Sequence, residues 1–291
     1  MCNRLLFSEN KAIKQLVTKY LTSAFSLFTY NEEITGIESR KVPLYQGGYN
    51  QKILYISGMA MGISKSQNSP TMEIAQAIAV HLSQNSDSLF RVKVVPPGEI
   101  HIELVDSTLA AWLHDLTVRE NGDWRLGQSE QERIKISVPN YQLTSSLKIF
   151  TIQHAHARCC SLLLLGHQEG LIELQRTSIK SFISVKSIPW LNNNQKLCLN
   201  HADESFLIHQ LVKVVDDLVF AHSSSTINWE KAAGNLSQAV ERFWCNCRIW
   251  GEVKIHDPEL AQARLGLLIA TQLVLRWVLE GKLGIVAPVE L

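Results

Sequence analysis

The spacing of apolar residues changes character once along this chain, near residue 145. Before that point helical and alternating stretches are mixed. Over residues 10–28 the apolar positions are Ile13, Leu16, Val17, Tyr20, Leu21, Ala24, Phe25 and Phe28, the three-and-four spacing of a helix with one buried face. Residues 52–57 read as a short buried strand stopped by Gly58, with a loop through Pro70 after it. Pro70 and Thr71 then open a second helix carrying Met72, Ala75, Ile78, Ala79 and Leu82. Phe90, Val92 and Val94 share a face on one strand, Ile100, Ile102 and Leu104 share a face on the next, and Pro96-Pro97-Gly98 turns between them. Asp106 or Ser107 caps a third helix through Leu109, Trp112 and Leu113.

Residues 122–144 are polar, carry Pro139 and keep no period, which predicts a connector. From residue 145 the pattern predicts helices over 145–166, 169–185, 202–221, 229–250 and 257–281, with one long loop over 189–200. The last is the clearest: Leu260, Arg264, Leu267, Leu268, Thr271, Val274, Leu275 and Val278 form its seam, Asp257-Pro258-Glu259 its start, and Gly281 and Gly284 its end. The expected fold class is an α+β N-terminal domain over residues 1–121, then an all-α helical bundle over residues 145–291.

Composition narrows the possible functions. With 291 residues, 46% hydrophobic and 19% charged, the chain is long and apolar enough to bury two cores. No apolar run reaches the roughly 20 residues of a membrane span, and the apolar start is too short for a secretory signal, so no membrane partner and a cytoplasmic location are expected. The six cysteines make no disulfide framework; Cys245 and Cys247 fall on different helix faces, and neither a metal nor a cofactor is expected. Net charge is +1, with 15 basic and 14 acidic residues through Phe150 and 13 of each afterwards. Phosphate neutralisation drives sequence-independent nucleic-acid affinity, so any RNA contact has to be local and shaped.

The segment Ile152-Gln-His-Ala-His-Ala-Arg-Cys-Cys-Ser161 resembles the Tyr-Ala-His-Ala-Arg signature that opens the anticodon-binding domain of arginyl-tRNA synthetases, matching at Ala155, His156, Ala157 and Arg158. Leu283-Gly-Ile-Val-Ala-Pro288 is similar to the Leu-Gly-Ile-x-Ala-Pro run near the end of the same family, and Ala261-x-Ala-Arg264-Leu-x-Leu267 to its penultimate helix. In the first half, Pro97-Gly98-x-Ile100, Leu104 and the run Leu109–Leu113 resemble the family's additional N-terminal domain, which touches the tRNA elbow. Between those domains the family carries an ATP-binding catalytic domain with a His-x-Gly-His element; the sequence holds no such element, and residues 122–144 have no room for that domain. Gly62-Ile-Ser-Lys-Ser66 is similar to the family's Lys-Met-Ser-Lys-Ser loop, but it stands on the wrong side of the missing domain and lacks the first Lys.

The resemblance implies a non-catalytic tRNA-binding protein with arginine tRNA as partner and no catalytic residues of its own. Its anticodon-side candidates are His154, where the family has Tyr, with His156, Arg158, Trp244, Arg248 and Leu291, the last standing where the family ends in Met. Arg offers a forked donor to phosphate and His or Trp a platform for an unpaired base. His156 and Arg158 have a second reading, as hydrogen-bonding groups within the bundle. Phe243 and Trp277 are expected in the core, with Trp250, Lys231 and Arg242 left open. On the elbow side stand His101, where the family often has Asn, and Glu99, where it has an aromatic residue. The competing expectation is a protein-interaction module that kept the fold and lost RNA, or a tRNA-recognition subunit for a separate synthetase chain.

Overall fold

A computed structural model describes residues 11–28, 42–48, 52–118, 143–178, 181–184, 186–220 and 227–291. The predicted connector lies outside the described residues as far as position 142. Two compact units emerge, Met1–Trp112 with Leu218–Ser224, and Leu113–Asp217 with Ser225–Leu291.

The first unit sets helices against one face of a sheet. Helix α1 (Ile13–Phe25) buries Ile13, Leu16, Val17 and Leu21, its predicted apolar face. Strands β1 (Leu44–Gln46), β2 (Leu54–Ser57), β3 (Phe90–Val95) and β4 (Glu99–Leu104) form an antiparallel sheet in the order β1-β2-β4-β3. Tyr55, Ile100 and Ile102 are fully buried on one face, while Tyr45, Ile56, His101 and Lys93 lie in register across the other. Gly98, at φ +131°, is required at the β3–β4 turn, because a Cβ there would strike the Thr71 side chain.

The loop expected between the first strand and Pro70 is instead helix α2 (Met59–Gln67). Met59, Ala60 and Ile63 bury one face of it, and Gly62 sits in open space, so a glycine is tolerated within a helix that tertiary packing holds. Gly62-Ile-Ser-Lys-Ser66 is therefore helical. Helix α3 (Thr71–Asn85) packs on α1 and β3, and α4 (Asp106–Val118) supplies the fully buried Trp112, whose indole N–H donates to the Lys11 carbonyl.

The second unit is built on α5 (Leu143–Gln168), α6 (Ala202–Phe220), α7 (Trp229–Asn246), the short α8 (Glu252–His256) and α9 (Pro258–Trp277), which runs into a π turn over Val278–Lys282. The helix predicted over 169–185 is overturned. Gly170, at φ +71°, ends α5, and β5 (Leu174–Ser178) and β6 (Ser181–Ser184) form a hairpin. Short apolar runs fit a strand as well as a helix, and the β-branched and aromatic residues there favour strands. Helix α7 also stops four residues short of the predicted 250, at Asn246, and Gly251 at φ +72° redirects the chain into α8.

Helix α9 is the central element: thirteen of its residues from Ala263 to Leu275 are buried without a break. Its neighbours approach closely enough to require two glycines. A Cβ on Gly166 of α5 would lie 2.7 Å from Leu265, and one on Gly266 would lie 2.7 Å from Ile188 and 2.8 Å from Trp190.

Candidate nucleic-acid interface

The motif helix α5 separates its signature residues by face. Ala155, His156, Ala157, Cys159 and Cys160 are buried, whereas His154 and Arg158, one turn apart, are exposed. His154 stacks at 28° on Phe150, itself 55% exposed, with ring centroids 6.3 Å apart. Leu147, 73% exposed, continues the same stripe one turn earlier.

Among the described residues, no buried acceptor lets Arg158 bridge helices. Its guanidinium lies over the Trp244 ring of α7, 4.5 Å from the centroid, and Trp244 meets Trp250 edge-on at 6.2 Å. Both indoles are half-buried, which leaves apolar ring surface in water beside a cation. Arg248 is exposed between them in sequence, in the segment that joins α7 to α8. Thus Arg158, Trp244 and Trp250 come together, with His154 a turn away on α5. Leu291 is 65% exposed, at the end of the segment that follows the π turn.

His156 takes the other of its two readings. It is fully buried, with Nδ1 2.7 Å from the Pro288 carbonyl and Nε2 2.8 Å from the Gln272 amide nitrogen. It offers RNA no surface. Phe243 is fully buried as expected, but Trp277 is half-buried rather than core.

A buried ion network behind this surface escaped the sequence reading. Arg264 Nε donates to Glu204 Oε1 at 2.6 Å, and its Nη1 donates to the Arg248 carbonyl, so the seam residue of α9 holds the chain just before Trp250. Arg242, left open by the sequence, donates to Asp203 Oδ1 at 2.6 Å and covers the Phe206 ring. Asn246 donates to the other Asp203 oxygen at 2.9 Å. The available signal was a capping pattern at the start of α6. The Glu204 carboxylate accepts from His201 N, and His201 Nδ1 accepts from Asp203 N, His standing where Ser or Thr is usual.

Cys247 Sγ lies 3.4 Å from His201 Nδ1, which superficially makes a Cys-His-Asp set. The chemistry is wrong for a nucleophile. Cys247 is fully buried, desolvation pushes its thiol up to about 12, and the Asp203 carboxylate is engaged by Arg242 and Asn246. Among the described residues no three His, Cys, Asp or Glu side chains stand together as metal ligands, and no helix is long and apolar enough to cross a membrane.

On the first unit, the elbow candidates engage each other: His101 Nε2 lies 3.1 Å from Glu99 Oε2, on the open face of β4. Lys93 stands beside His101 on β3, and Arg91 meets Glu103 at 3.4 Å. The face carries both signs of charge, without a basic field.

Comparison with known proteins points to one family. The chain is similar to the arginine–tRNA ligase of Synechococcus sp. (strain JA-3-3Ab), 33% identical over 141 residues that make up 47% of this chain and 21% of the ligase. It is 31% identical over 129 residues to the arginine–tRNA ligase of Gloeobacter violaceus, covering 44% of this chain and 20% of that one. The Moorella thermoacetica ligase is 29% identical over 141 residues, 48% of this chain and 22% of the relative. No family model matches the chain, and no solved structure matches it significantly. The chain is thus similar to arginine–tRNA ligases over about half its length, and that stretch spans about a fifth of the ligases it matches.

Proposed function

We propose that this is a non-catalytic tRNA-binding protein whose helical unit, residues 145–291, takes the anticodon arm of arginine tRNA, with residues 1–121 as an elbow-facing domain and 122–144 as their connector. The observation that carries the reading is the exposed Arg158 stacked on Trp244, within a chain similar to arginine–tRNA ligases. An unpaired base gains roughly 1 to 3 kcal/mol by stacking on an aromatic ring, and a guanidinium beside it supplies a forked donor to phosphate. His154, Trp250 and Arg248 extend the surface, and Leu291 is its apolar end. Binding by a few shaped contacts also agrees with the balanced charge of both halves. The protein works in the cytoplasm on this reading, and activates no arginine alone.

One observation favours a second reading. Leu147 and Phe150 expose apolar side chains on the same helix, which suits contact with a protein, such as a separate synthetase chain. Titration of labelled arginine tRNA at fixed salt, against random RNA of equal length, separates the two. Preference for the tRNA is the expected result; equal affinity, with a stoichiometric protein recovered from cytoplasm, supports the second reading instead.

A further inference from the structure

The segment after the π turn is tied to α5 at two points, both within the stretch that carries the family signature. Gln153 Nε2 donates to the Val286 carbonyl at 2.8 Å, and His156 Nδ1 lies 2.7 Å from the Pro288 carbonyl. A carbonyl only accepts, so Nδ1 carries the proton. The opposite nitrogen, Nε2, then accepts, and the Gln272 amide nitrogen donates to it at 2.8 Å. A single neutral tautomer satisfies both bonds. Further ties hold the same segment to the π turn: Leu283 N donates to the Val278 carbonyl and Ile285 N to the Leu279 carbonyl, each by a backbone bond. Ala287, between the two α5 ties, is fully buried, while Val286 and Leu291 expose 61% and 65% of their surface.

We propose that His156 is a positioning residue: as a neutral imidazole protonated on Nδ1, it links α9 to residue 288 and fixes segment 283–291 along α5, presenting Val286 and Leu291 as an ordered border of the RNA-binding surface. The tie is a property of the bundle alone; its effect on RNA rests on the function proposed above. The strap is held on the Gln153 and His156 side of α5, at the same height along the helix as the exposed His154–Arg158 stripe but on a neighbouring flank, since successive helical residues turn by about 100°. His156 touches no RNA. It acts through the strap.

The test uses the full chain. Ring-nitrogen NMR of the 15N-histidine-labelled protein should show His156 neutral and protonated on Nδ1. In His156→Ala, exchange of the Ile285 amide, which donates to the Leu279 carbonyl, should quicken about tenfold, the loss expected when one buried hydrogen-bonded anchor goes. Affinity for arginine tRNA should fall several-fold in the same protein. Gln153→Ala, at a half-exposed position, should shift both readouts the same way by less, and together with the tautomer it carries the test if His156→Ala does not fold. A ring protonated on Nε2, or a strap released with tRNA affinity unchanged, overturns the proposal. If the parent protein binds arginine tRNA no better than random RNA, the functional reading and the RNA effect fall together, while tautomer and exchange still decide the tie.

Discussion

The Arg158 guanidinium and the Trp244 ring, 4.5 Å apart, join α5 to α7 at the surface rather than in the core. An exposed cation–π contact of this kind contributes roughly 0.5 to 1 kcal/mol, little beside the packing of the bundle. Its geometry therefore says more about what the surface recognises than about what holds the fold. Trp244→Ala should weaken RNA binding by about 1 to 3 kcal/mol, the worth of one stacked base. Melting measured on the same sample should fall by far less than for a buried aromatic; a collapse in Tm would place Trp244 in the core.

The Glu204–Arg264 pair behaves in the opposite way. Both side chains are buried, and Arg264 also holds the Arg248 carbonyl. Glu204→Ala strands a buried cation and should cost about 3 to 5 kcal/mol of stability, measured by denaturant unfolding. Because Arg264 fixes the chain leading to Trp250, the same variant should lose RNA affinity even where it is fully folded.

Gly266 packs against Ile188 and Trp190 at distances no Cβ tolerates. Gly266→Ala should destabilise by about 1 to 3 kcal/mol despite the better helix propensity of alanine, because overpacking outweighs it. An increase in Tm would show that α9 and the 189–200 loop are looser than described.

The thiols give a pH test. Burial pushes Cys160 and Cys247 each up to about 12, from an ordinary value of 9.0. Their folded values are raised, so the stabilisation they give is complete below pH 9 and is lost as pH climbs from about 9 to 12, where the unfolded chain ionises first. Urea midpoints should be flat below that window and fall within it. At pH 8, a thiol reagent should label the exposed Cys245 ahead of Cys159, Cys160 and Cys247, which should react only on unfolding.

Periodicity made most of this architecture legible. The faces of α1 and α9, the β3–β4 turn and the strands around it follow from spacing and turn chemistry. The hairpin over 174–184 and helix α2 do not, because short apolar runs fit either period and Gly62 breaks a helix only where packing fails to hold it. At the site, the motif singled out His154, His156 and Arg158 together, while the helical twist divides them, sending His156 inward and the other two outward. The Gln272 and Pro288 partners of His156 lie 116 and 132 residues away, beyond any local pattern. Trp250 stayed open beside the candidate Trp244 because aromatic spacing alone does not say which indole reaches water.

The most direct test of the account is the salt dependence of arginine tRNA binding in the parent and in Arg158→Ala, with melting followed on the same preparations. Arg158 is exposed and, among the described residues, holds no buried acceptor, so Tm should shift by little. Affinity should drop and the slope of log affinity against log salt should flatten by about one counterion, since one phosphate contact is lost. A variant that melts like the parent and binds arginine tRNA with the same affinity and the same slope would contradict the proposed interface.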